Sequence, residues 1–261
     1  LSDAAPLEQS VSLVSASAQL LTLSLRRQFL SRQSLICLAL TLVGAAIAWG
    51  WTKRDPTVKK YAEEILVPVH VAFLVPIYAI CYGTAAVGGE REDRTLVYLL
   101  LTPMPRPLVY FVKYATAVAL ILGWTMGSLG LLAFMARPWG SEALQLFWPA
   151  IALGSVAYAS LFTALGAAFR RGTIISLAYA FFLEGLIGNM PGIVKRMSVS
   201  FYMKCMIYDA GSELKIGPLL SRDLFLPIAG TTARLVLCLV AAGLFVAGLV
   251  IFTRREYRDL S

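Results

Sequence analysis

Residues 90–113 read Glu90-Arg-Glu-Asp-Arg-Thr-Leu-Val-Tyr-Leu-Leu-Leu-Thr-Pro-Met-Pro-Arg-Pro-Leu-Val-Tyr-Phe-Val-Lys113. A charged helix start sits between two long apolar stretches, and Gly88 and Gly89 break the stretch before it. Leu96, Leu99 and Leu100 recur at i, i+3 and i+4, which makes one apolar stripe on a short helix. Glu90 precedes Arg94 by four residues, the better orientation for a helical ion pair. Pro103, Pro105 and Pro107 end the helix, because proline has no amide donor and drives its predecessor out of the helical region. The segment is too polar for lipid and too patterned for a casual loop, so it is read as a surface helix offered to a partner.

Composition sets the surroundings. The chain has 261 residues, 58% hydrophobic and 15% charged, where a soluble domain carries about 25% charged residues. The apolar residues are bunched rather than spread. A hydrocarbon core of about 30 Å needs about 20 apolar residues in a helix, and six runs approach or reach that length: 34–51, 65–88, 108–135, 146–169, 173–190 and 232–252. No alternation typical of barrel strands appears. The expected fold is therefore all-α, a polytopic membrane helical bundle with six transmembrane helices.

The net charge is +8. The basic residues flank apolar runs, as at Arg26-Arg27, Arg170-Arg171 and Arg254-Arg255, which implies anchoring by anionic lipid headgroups. No basic stripe with interleaved aromatics is present, so no nucleic-acid partner is expected. Cys37, Cys81, Cys205 and Cys238 form no C-x-x-C pair, and neither a disulfide framework nor a metal site follows from them. Residues 1–33 lack a signal-peptide pattern. Residues 10–33 mix serine with Val and Leu and end on Arg26, Arg27 and Arg32, as expected of an interfacial helix. The division read from the chain is an N-terminal tail with that helix over 1–33, then a membrane domain over 34–261.

The segment at 90–113 resembles the signature of the type-2 ABC transporter permeases, E-x-E-x2-T-L-x2-L-L-x2-P-x2-R followed by a lysine seven residues on. Glu90, Glu92, Thr95, Leu96, Leu99, Leu100, Pro103, Arg106 and Lys113 match it, while Arg94 stands where members often have glycine. The resemblance implies that 90–102 is a short cytoplasmic coupling helix docked on an ABC ATPase subunit. Its contacts would come from Glu90, Glu92, Arg94, Thr95, Leu96, Leu99, Leu100, Pro103 and Arg106. It also implies a second permease subunit, forming a homodimer, and a multi-pass location in the cell inner membrane with both termini cytoplasmic. Charge alone does not orient the chain, since twelve of its 23 Lys and Arg fall on the side so assigned. No G-x-x-x-x-G-K-[ST] loop is present. The chain is thus expected to be no enzyme and to hold no cofactor, with ATP on the partner subunit.

Other residues stay open between readings. Glu184, in Phe-Phe-Leu-Glu-Gly-Leu-Ile, is an intramembrane polar site: a carboxylate in lipid faces the bundle, water or a partner, either for gating and passage or for structure. His70 is the only histidine and reads as polar packing near the start of the second span. Pro68 and Pro76 imply a kink. Gly123, Gly127 and Gly130, with Gly154, Ser155, Ser160, Thr163 and Gly166, read as close packing inside the bundle ahead of a dimer seam or substrate path. Lys113 is expected to snorkel. Residues 191–231 read as an external cap for substrate or an extracytoplasmic partner, with Ile193, Val194, Met197, Phe201, Cys205 and Tyr208 on one face of a surface helix and Lys195, Arg196 and Lys204 mainly on the other. The rival classes are a membrane anchor that recruits an ATPase without a substrate path, and an intramembrane enzyme using Glu184 or His70.

Overall fold

A computed structural model describes residues 13–53, 57–89, 104–137, 139–189, 193–218 and 225–254. The elements among these are helical: α1 (Leu13–Phe29), α2 (Arg32–Thr52), α3 (Val58–Gly89), α4 (Arg106–Met135), α5 (Gly140–Ala168), α6 (Gly172–Leu186), α7 (Val199–Ala210) and α8 (Gly230–Arg254). Five of them, α2, α3, α4, α5 and α8, are long and apolar enough to cross a membrane. The all-α membrane bundle expected from the sequence is present. The fifth predicted span is shorter than expected: α6 is an apolar helix that changes to π winding at Ala180 and to a 3₁₀ turn at Ile187–Asn189.

The second span starts earlier than its hydropathy suggests. Thr57 caps α3 by accepting from the Lys60 amide, so most of the expected loop 52–64 is helix. Proline shapes this helix. Pro68 has no amide to give, and Ala62–Leu74 winds as a π-helix around it. Pro76 sits in the first turn of the α-helical stretch Val75–Thr84, where its missing donor costs little. The expected kink is therefore spread over a long change of winding. Neighbouring helices and local π adjustment re-satisfy the freed carbonyls, as a lipid environment requires.

Helix α5 is the centre. It packs against α8, α4, the Val75–Thr84 part of α3, and α7. Gly154, Ser155, Ser160, Thr163 and Gly166 are all buried there, which lets backbones approach closely. Gly83 shows how closely: a Cβ there would lie 2.8 Å from the Phe162 Cβ. Hydroxyls then tie helix to helix. The hydroxyls of Tyr78 and Thr41 are 2.7 Å apart, those of Tyr82 and Ser34 also 2.7 Å, and those of Tyr114 and Ser160 2.9 Å. Tyr61 donates to the Leu132 carbonyl at 2.8 Å. The glycines of α4 behave differently: Gly123, Gly127 and Gly130 face open space. They do not pack this chain's own bundle, contrary to the expectation.

α1 packs on α4 with an inverted pattern. Ser24 is buried, while Leu23, Phe29 and Leu30 are exposed. A helix that turns leucine outward beside Arg26 and Arg27 suits the boundary between headgroups and acyl chains. Residues 191–231 do not form one surface helix. Ser198 divides them, capping α7 by accepting from the Phe201 amide. Ile193, Val194 and Met197 precede it and are exposed, while Phe201 and Cys205 are buried. Lys195 and Lys204, expected on the polar side, are buried too. Lys195 lies over the Phe225 ring, 4.5 Å from its centroid.

The Gly83 contact yields a direct test. Gly83→Val must push α3 off Phe162, an overpacking that costs about 1–3 kcal/mol. The thermal midpoint of the detergent-purified protein is expected to fall accordingly, whereas Gly243→Val, in open space on α8, leaves it unchanged.

Candidate functional site

The expected partner-binding helix lies outside the described residues. Of its nine assigned residues, Glu90, Glu92, Arg94, Thr95, Leu96, Leu99, Leu100 and Pro103 are there, and only Arg106 is described. Its two attachment points are described, and both sit at one end of the bundle. The α3 end turns through a short π stretch, Ala85–Gly89, with Gly88 against Gly166. Thr84 accepts from the Thr173 hydroxyl at 3.3 Å, which joins the end of α3 to the start of α6.

The α4 end is held on two sides. Arg106 is the first residue of α4, and its guanidinium reaches the Thr253 carbonyl at 3.5 Å. One turn on, the Tyr110 ring lies 5.6 Å from Phe252 and 5.9 Å from Phe245 on α8. Gly248 makes room, since a Cβ there would strike the Tyr110 hydroxyl. On the other side Lys113 donates to the Ser24 hydroxyl of α1 at 2.9 Å. Both groups are buried, so Lys113 does not snorkel; it ties α1 to α4. The composition of the motif gave no sign of Ser24, because the pair is 89 residues apart. Arg106, Arg170, Arg171 and Arg254 are exposed around this same end.

Glu184 lies elsewhere, inside the bundle, and its carboxylate is buried. It accepts from the Val199 amide at 2.8 Å, the Ser200 amide at 3.2 Å, the Tyr179 hydroxyl at 3.3 Å and the Ser198 hydroxyl. The first amides of a helix have no partner within it, and a carboxylate at that end also meets the positive pole of the helix. Glu184 thus caps α7 from α6. Lys204, on the same helix, is held below the usual lysine range by burial, with the Glu184 charge acting against that shift. The π winding of Ala180–Leu186 carries Glu184, a placement typical of functional positions in helices. The meeting of Ser198 with Glu184 was not legible in the sequence.

His70 is fully buried and well inside α3. Its Nε2 lies 2.9 Å from the Ser128 hydroxyl and 3.1 Å from the Thr125 carbonyl, both on α4. Ser155 of α5 donates to the Thr125 hydroxyl at 3.1 Å. This is a polar tie between three helices. Among the described residues no group of three or more His, Cys, Asp and Glu is arranged to hold a metal.

The Glu184 cap carries a graded expectation. Glu184→Ala leaves two buried amides and two hydroxyls without their acceptor, and an unmet buried donor costs about 1–3 kcal/mol. Glu184→Gln keeps one acceptor oxygen and loses less. Hydrogen exchange at residues 199–201 is expected to rise strongly in the alanine variant and modestly in the glutamine variant, with the thermal midpoint falling in the same order.

Five long apolar helices packed around α5, with exposed arginines gathered at one end, describe a multi-pass membrane bundle. A family model described as "ABC-2 family transporter protein" matches residues 4–257. No curated protein matches the chain closely enough to be called a relative. The match runs through every helix described above, and the chain belongs to the ABC-2 family of transporter proteins, as a membrane permease of an ABC transporter.

Proposed function

We propose that this permease is worked from its basic end by a separate ATPase subunit docked on residues 90–102. The observation that carries this reading is the convergence of both attachment points of that segment on one tied end of the bundle. Through Arg106, Tyr110 and Lys113 that end reaches α8 and α1. Leu96, Leu99 and Leu100 supply the apolar contact, and Glu90, Glu92 and Arg94 set its register. In this reading the basic end is cytoplasmic, both termini lie there, and α6 completes six spans in the cell inner membrane.

Two copies of the chain complete the substrate path. The open face of α4 at Gly123 and Gly127 supports a second copy, since small residues let helices meet closely in lipid. ATP closes the ATPase pair, the docked helices move, and α4 carries the motion inward. Nucleotide shifts the spans only to the extent that the docked contact differs in free energy between the two states.

The anchor reading needs the same docking helix but no motion within the bundle. The enzyme reading is disfavoured by geometry: the Glu184 carboxylate is engaged by four donors and His70 Nε2 by α4.

The test is Leu99→Asp in the protein reconstituted with its ATPase. The variant is expected to insert and to keep the parental thermal midpoint, while stimulation of ATP hydrolysis by the permease is lost. Unchanged stimulation refutes docking at this helix. A nucleotide-dependent change in the spin-label distance between α4 and α2 separates a permease from an anchor, which shows none.

A further inference from the structure

At the end of the bundle away from Arg106 lies a cavity of about 340 Å³. Its position follows from α8, which runs from the cavity at Gly230 to Arg254 beside Arg106, 25 residues in all. At about 1.5 Å per residue that separates the two ends by roughly 36 Å, a full membrane thickness. One wall is a single face of α7 and the turn after it: Tyr208, Asp209 and Ser212. Ile216, Pro227 and Ile228 add apolar lining.

The polar groups on the walls have one character. Asp209 offers a carboxylate, Ser212 and Tyr208 offer hydroxyls, and no Lys or Arg is among the described lining residues. Glu63 stands just behind the wall, accepting from the Gly217 amide at 2.9 Å. Tyr208 feels this surrounding: burial holds its phenol above the usual range, and the Glu63 charge adds to the effect. Asp209 is exposed, and among the described residues no side chain pairs with its carboxylate. A Cβ on Gly230 would fall 2.5 Å from its Oδ2, so the carboxylate sits against the first residue of α8.

The walls are shaped against the backbone's own preference. Lys215 and Leu226 are the non-glycine residues of the described chain with positive φ, at 57° and 45°. They lie immediately before the lining residues Ile216 and Pro227. A left-handed leucine is disfavoured, and such conformations cluster at ligand-binding places. A cavity of this size, apolar with a few convergent acceptors, has the make-up of a small-molecule site.

We propose that this cavity binds a small organic ammonium ion, with the cation on Asp209 and the carbon skeleton against Ile216, Pro227 and Ile228. The hydroxyls of Ser212 and Tyr208 accept the remaining ammonium protons. Binding there is independent of ATPase docking, so it stands or falls apart from the function proposed above.

Calorimetry on the purified protein in lipid nanodiscs, against empty nanodiscs, tests this with phenethylamine and its uncharged counterpart 2-phenylethanol. The intact protein is expected to bind the amine saturably and at least tenfold more tightly than the alcohol. Asp209→Asn is expected to abolish that preference. Gly217→Leu keeps the carboxylate and adds bulk at a lining residue, with nothing within 4 Å of its Cβ to clash, and it is expected to weaken amine binding. Equal binding of amine and alcohol by the intact protein overturns the proposal, whether or not either variant folds. Amine binding that is unchanged in both variants overturns it equally.

Discussion

A backbone amide inside a bilayer has no water to turn to, so every donor must find its acceptor within the protein. That constraint makes the long spans helical throughout, and it bears hardest where a helix begins or ends at depth. The junction between α6 and α7, buried inside the bundle, meets the same requirement. The chain stops one helix, turns, and starts another packed against α5 and α8. The four donors gathered there converge on Glu184. A carboxylate that is costly in lipid by itself becomes the group that makes the junction affordable.

Elsewhere the same requirement is met by hydroxyls and by closeness. Apolar burial drives helices together poorly in lipid, because the acyl chains are as apolar as leucine. Close backbone approach at Gly83 and Gly248 supplies dispersion contact. Tyrosine hydroxyls on Thr41, Ser34 and Ser160 supply direction. The result is unequal: α3 and α5 are enclosed, while α2 and α8 turn wide apolar faces outward, at Leu35, Leu42, Leu235 and Leu239 for example. The tied end around Arg106, Tyr110 and Lys113 is therefore coupled to a firm centre rather than to a loose sheaf.

Much of this was legible in the sequence. The apolar runs located five long helices and marked a sixth, because spans in lipid must be long and apolar whatever they touch. The family signature at 90–113 was legible residue by residue. The carboxylate at Glu184 was legible as a group that faces the bundle, water or a partner, and the structure turns it into the bundle. Periodicity misled at 193–208, where one apolar stripe turned out to be an exposed turn followed by a buried helix. It misled again at Lys195 and Lys204, whose burial depends on Phe225 and on the α7 surroundings rather than on their own helix face.

By itself the sequence determined which stretches are helical, which can enter lipid, and to which family the pattern at 90–113 is similar. Those properties are local: they depend on the composition of a run and on the spacing within a few turns. Only the tertiary structure decided that Lys113 meets Ser24, that Glu184 meets the start of α7, that Gly123 and Gly127 face outward, and that Asp209 lines a cavity at the far end. Each is a meeting of groups from separate helices. Hydropathy is blind to the rotation of one helix against another, and that rotation sets which side chains face each other.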